Sequence, residues 1–230
     1  AENGTILTDC PHYDWPSIVR KTVKLGKKLE ADDFILKAPE EASLARAKVI
    51  GVIENQAPTK SLEFDLPTKN GIVQISEGVS YLSLVERHRG TGSVTNGFVS
   101  GFGYNGSMAI ASSVAHDSHH MIVVGTDREM MAAAANRLGE VGGGVTVWKD
   151  GSEVALVELP IAGLMSDSPA SIVAAKAQEV VSAMADCGCS LNNAYMQHTL
   201  LALVVIPELR ISDLGLVDVN HFELTEVILS

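Results

Sequence analysis

The sequence has little cysteine, a deficit of basic residues and no long apolar run, and each shortage excludes something. Three cysteines, Cys10, Cys187 and Cys189, are too few for a disulfide framework, so the expectation is a reduced, cytoplasmic protein. Lys and Arg together number 17 against 28 Asp and Glu, a formal net charge of −11. That balance argues against non-specific binding to nucleic acid or to an anionic membrane, both of which need a basic surface. The longest unbroken apolar run, Leu200 to Ile206, is far short of the roughly 20 residues of a membrane-spanning helix. Residues 1–4 carry no basic and apolar leader pattern, so no signal peptide is expected. With 20 Gly and 8 Pro, the chain is neither collagen-like nor of low complexity. It contains no G-x-S-x-G, no H-E-x-x-H and no P-loop. Its 230 residues suffice for one large domain or two small ones.

Residues 1–7 read as a strand preceded by a Glu2-Asn3-Gly4 turn. Ser17 to Leu29 carries five basic residues and reads as a solvated connector, or as a contact for phosphate or an acidic partner. Strands are expected at Lys48 to Ile53, Gly71 to Ile75, Ala109 to Ala115 and Met121 to Val124. Ser80 to Glu86 alternates apolar and polar residues, the pattern of a half-buried strand. Thr126 and Glu129 have capping-box spacing ahead of Met130, Ala134, Leu138 and Val141, one helical face that stops at Gly142-Gly143-Gly144. A second helix opens with Ser168 as N-cap and Pro169, and carries Val173, Ala177, Val180 and Met184 on one face. Between them, Lys149-Asp150-Gly151-Ser152 predicts a hairpin flanked by Val145 to Trp148 and Val154 to Leu159. Leu200 to Ile206 is a buried strand or the end of a buried helix; periodicity does not choose. The mixture implies an α/β or α+β domain with a central mixed sheet and flanking helices.

His116, Asp117, Ser118, His119 and His120 form the densest polar cluster, placed between two apolar strands. Imidazole and carboxylate are acid–base groups near neutral pH and ligands of transition metals. The bland alternative is a polar loop that only links strands. Glu86, Arg87 and His88 end the preceding strand ahead of a glycine loop, and Arg87 could clamp a carboxylate such as Asp117, or form a surface salt bridge. Gly101 to Gly106 fits G-x-G-x-x-G, but a strand pattern follows where a nucleotide fold needs a helix. Cys187 and Cys189 have no second pair to complete a metal site, and read as buried thiols at a helix end.

The string from Ala111 to His119, followed by Ile122 to Gly125, resembles the C-terminal domain of adenine deaminases of the amidohydrolase superfamily. In order, Val85 to His88, Gly97 to Gly103, the triple glycine, Leu159 to Ser166, Ile206 to Leu209 and Asp213 to Val219 add to the likeness. It implies that residues 1–38 are the end of a β-sandwich strand plus a connector, and 39–230 the C-terminal domain. It also implies an appended (β/α)8 barrel absent from this chain, which would hold a divalent metal, manganese or iron or possibly zinc. The activity implied is conversion of adenine and water to hypoxanthine and ammonia, with adenine and the barrel as partners and a homo-oligomeric assembly. Catalytic support falls to His116, Asp117 and His119, and substrate positioning to Glu86, Arg87 and His88; no metal ligand is assigned here. The alternatives are a non-catalytic scaffold or oligomerisation domain, or a deaminase of another nucleobase. Two departures stand out: His120 replaces the family's usual amide, and His198 and Thr199 enter a stretch that is usually apolar.

Overall fold

A computed structural model of the chain describes residues 2–3, 5, 7, 13–39 and 41–229. Cys10 and Pro11, with residues 1, 4 and 6 of the expected first strand, lie outside the described residues. Glu2 and Thr5 exchange a pair of backbone hydrogen bonds, each of 2.9 Å, across a tight turn.

The centre is a mixed sheet. In chain order its strands are β1 (Leu44–Val52), β2 (Thr59–Lys69), β3 (Ile72–Val73), β4 (Val79–Val85), β5 (Val94–Ser100), β6 (Met108–Ser112), β7 (Met121–Gly125), β8 (Gly144–Lys149) and β9 (Ser152–Glu158). They lie side by side in the order β3-β2-β1-β5-β4-β7-β6-β8-β9. All neighbours pair antiparallel except β1 and β5, which are parallel. A short sheet of β10 (Leu209–Ser212), β11 (Gly215–Asp218) and β12 (Glu223–Thr225) packs beneath it. β13 (Ile228–Leu229) returns to β1, pairing Ile228 with Ala47 and Leu229 with Arg46.

Alternation along the strands divides the interior into two cores. Leu82 and Leu84 of β4, Ile110 of β6, and Ile122 and Val124 of β7 face one core. That core is closed by Val180 and Met184 of α2 (Ala170–Asp186) and by Leu209, Ile211 and Leu216 of the small sheet. Tyr81, Val85, Ala109, Ala111 and Val123 face the other core, covered by Met131, Ala134, Ala135 and Leu138 of α1 (Arg128–Val141). Small alanines on β6 let α1 approach closely, and a Cβ on Gly125 would lie 2.7 Å from the Met131 side chain. Because both faces are covered, every residue of β4 is buried, which corrects the half-buried expectation.

Several local expectations change in the same way. Asp127, not Thr126, caps α1: its carboxylate accepts from the Glu129 and Met130 N–H groups at 2.8 and 3.2 Å. Thr126 instead accepts from Met108 N–H and donates to the Gly106 carbonyl, fixing the start of β6. Ser168 does not cap α2, whose N-cap is Pro169 with its carbonyl accepting from Val173 N–H, and Ala177 is exposed. In the apolar run, Leu200 ends α3 (Ala194–Leu200), Leu201 and Ala202 are buried in the turns that follow, and Val205 is exposed. The hairpin is as expected, with Asp150 and Gly151 at φ 49° and 85°. The basic segment is stitched to the domain: Val23 and Leu29 are buried, Leu29 exchanges two hydrogen bonds with Asn136, and Lys24 N–H donates to the Arg87 carbonyl at 2.8 Å.

Candidate functional site

The register of the sheet brings the candidate groups to one end. Val85 at the end of β4 pairs with Met121 at the start of β7, and Ser112 at the end of β6 pairs with Ile122. The turn after β4 and the loop between β6 and β7 therefore lie side by side, as do the histidines they carry.

Glu86 organises the turn. Its carboxylate accepts from the N–H groups of His88 (2.5 Å), Arg89 (2.8 Å) and Thr91 (3.1 Å), and from the Thr91 hydroxyl (3.0 Å). Burial pushes the acid up, but these donors favour the anion more strongly and hold its pKa down to about 2. Its lone pairs are spent within the fold.

Arg87 is 1% exposed and does not reach Asp117, contrary to expectation; nor is it a surface salt bridge. Its guanidinium donates to the carbonyls of His119 (Nε, 2.5 Å) and Ala162 (3.2 Å) and to the Thr22 hydroxyl (3.4 Å). Burial without a carboxylate lowers its pKa to about 10. A Cβ on Gly163 would lie 2.7 Å from this guanidinium, so that glycine makes room for it. Beside it, His88 Nε2–H donates to the Ser118 carbonyl at 2.9 Å; a carbonyl can only accept, which assigns the proton to Nε2.

The loop from Ser113 to His120 is thus held through its backbone, the Ser113 hydroxyl and the His119 ring. Ser113 Oγ donates to the Gly163 carbonyl (2.6 Å) and accepts from Gly144 N–H (2.7 Å), and His116 N–H donates to the Thr199 carbonyl (3.1 Å). The triple glycine is more than a helix stop: Gly142 takes the left-handed C-cap of α1, while a Cβ on Gly143 would meet Gly163 Cα at 2.5 Å. His119, at φ 51°, accepts at Nδ1 from Ala115 N–H (3.3 Å), which leaves its other ring nitrogen to carry the proton. The His116 and His119 rings are 5.3 Å apart, Asp117 and Ser118 are exposed, and His116 and His119 are half-buried. Burial, the nearby His116 and the Arg87 charge lower the His119 pKa, and Asp117 opposes them.

His120 turns the other way and is buried, with its ring 4.7 Å from that of His88. Asp213, in the turn between β10 and β11, places Oδ2 3.6 Å from His120 Nε2. Asp213 lies 93 positions after His120, so no local pattern in the sequence connects the two. Away from this edge, His198 is fully buried beside Phe102, and burial lowers its pKa to about 3, so it is a neutral member of the core. Cys187 and Cys189 are buried free thiols at the end of α2.

Among the described residues no three His, Cys, Asp or Glu side chains converge as a metal-ligand set. His116 and His119 face each other as a pair, with no third ligand beside them among the described residues. What the edge offers is a set of imidazoles and a carboxylate fixed from behind and open in front. No helix of the described residues is long and apolar enough to cross a membrane.

The fold is a two-sided α+β layer, its sheet antiparallel except at β1 and β5, with ionisable groups on the loops at one sheet end. Residues 56–223 match the family model of the adenine deaminase C-terminal domain, and the chain belongs to that family. It is 70% identical over 226 residues, 97% of its length, to a protein named adenine deaminase from Ruegeria pomeroyi. Proteins of the same name from Paracoccus denitrificans and Moorella thermoacetica are 63% and 40% identical, each over 99% of this chain. The chain spans 38% of the length of each of these relatives.

Proposed function

We propose that this domain is part of an adenine aminohydrolase that converts adenine and water to hypoxanthine and ammonia in purine salvage in the cytoplasm. The domain packs on a (β/α)8 barrel, and the loop from His116 to His119 faces the barrel's active site. The divalent metal that the family resemblance implies, manganese or iron with zinc as the alternative, belongs to that barrel. Assembly of the intact protein as a homo-oligomer completes the reading.

One observation carries the role of the loop. Arg87 and His88 hold it by the carbonyls of His119 and Ser118, and no hydrogen bond among the described residues is made through the His116 or Asp117 side chain. The His116 and Asp117 side chains therefore have no structural duty within the domain and are available to a partner. Glu86, Arg87 and His88 are therefore positioning residues, while His116, Asp117 and His119 face the reacting partner.

The test is His119→Asn and Asp117→Asn in the full-length protein. Loss of about 10²-fold or more in kcat/KM for adenine, roughly 2.7 kcal/mol of transition-state stabilisation, is expected with an unchanged melting temperature. Near-normal kinetics, or activity lost only in step with stability, would make the domain a scaffold.

A further inference from the structure

Beside the loop lies a cleft of about 550 Å³. Leu84 and Leu214 give it apolar walls, Thr91 and Ser93 supply hydroxyls, and His120 and Asp213 meet across it. Its size falls within the range of small-molecule sites, roughly 300–1,000 Å³.

We propose that Asp213 and His120 recognise the amidine edge of a purine base in this cleft, Asp213 accepting from the exocyclic N–H and His120 Nε2–H donating to the adjacent ring nitrogen. The inference rests on the purine chemistry of the proposed function and assigns it two residues not yet given a role.

Three features support the pairing. The first is the separation: at 3.6 Å, Nε2 and Oδ2 are beyond hydrogen-bond length, so neither group is satisfied by the other. The second is the state of the imidazole. The His120 side chain is 10% exposed, and Nδ1 is buried without a hydrogen-bond partner. A neutral ring has one N–H, and placing it on Nε2 directs the donor towards the carboxylate and the cleft instead of stranding it. The third is rigidity. The Asp213 carbonyl accepts from the Thr95 hydroxyl at 2.9 Å, and Ser212 Oγ accepts from Leu214 N–H at 3.2 Å, so the turn fixes the backbone from which the carboxylate projects. The other carboxylate of the cleft, Glu86, is already saturated by its four donors. A carboxamide reads adenine N6–H and N7 with a donor beside an acceptor, and the amidine edge presents the same pair of groups at N6–H and N1.

The experiment uses the 230-residue chain, adenine at millimolar concentration, and purine lacking the exocyclic amine as comparison. Adenine should shift the His120 ring resonances and bind about tenfold more tightly than purine. Asp213→Ala, at a side chain 40% exposed, should abolish that preference and leave the melting temperature unchanged. The proposal is overturned if His120 does not respond to adenine, if adenine and purine bind alike, or if Asp213→Ala retains the preference. Failure of the catalytic reading is separable: full-length protein without adenine hydrolysis, alongside a chain that still prefers adenine through Asp213, removes that reading alone.

Discussion

Glu86 shows how a residue selected for its chemistry turns out to be spent on geometry. Its two oxygens answer three N–H groups and one hydroxyl, and the turn from His88 to Thr91 exists because of them. Glu86→Gln keeps the shape but replaces an acceptor by an NH2 group facing donors, and should cost about 1–3 kcal/mol. The folded carboxyl has its pKa near 2, below the ordinary value of 4.5. Its contribution is therefore present above pH about 4.5 and lost as pH falls towards 2. Urea midpoints across this window should fall less steeply for the glutamine variant than for the native chain. Arg87 teaches the complementary lesson. Its residue type and place at a strand end were legible, but its partners were not. A guanidinium prefers a carboxylate on chemical grounds alone, and only the packing of Gly163 and Thr22 around it shows that carbonyls and a hydroxyl took that place.

Elements were legible where a local signal had no competitor. The Asp150-Gly151 hairpin, the apolar face of α1 and its stop at Gly142 follow from turn chemistry and helical period. The cap was misplaced by one residue because Thr126 and Asp127 are both good caps, and the choice depended on β6 claiming Thr126. Asp127→Ala should therefore destabilise the fold by about 1 kcal/mol, measured by denaturant midpoint, with the lost helicity confined to the first turn of α1. β2 went unread although Leu62, Phe64 and Leu66 alternate, because charged residues between them and Pro67 obscured the period. β5 was hidden by Asn96 and Gly97, whose presence in a strand makes sense only once Asn96 is seen to donate to the carbonyls of Asp33 and Ile35. The serines of β4 suggested a wet face, but Ser83 donates to Asn96 at 2.6 Å under the second core.

For the whole molecule, the mixed sheet and flanking helices were legible from the alternation of element types, whereas the strand order was not, since no local pattern encodes which strands become neighbours. That order is what places the turn after β4 against the loop before β7, and hence makes a single edge of two sequence clusters. Asp213 reaches the edge only through the small sheet, which local reasoning could not place. The completed edge still holds no metal-ligand set among the described residues. The purified 230-residue chain supplied with Mn²⁺ or Fe²⁺ is therefore expected to release no ammonia from adenine; sustained metal-dependent release would show that the chemistry lies in this domain.

The return of β13 to β1 has a consequence for biosynthesis. β1 precedes every other strand of the sheet, yet the stretch at Arg46 and Ala47 is completed only by Ile228 and Leu229, since β5 reaches no further than Ile50 and Gly51. A ribosome making the chain from its N-terminus must therefore leave an unsatisfied strand edge exposed until nearly all of the domain has emerged. Nascent copies on one messenger would carry that open edge side by side until Val227 and the two residues of β13 cover it.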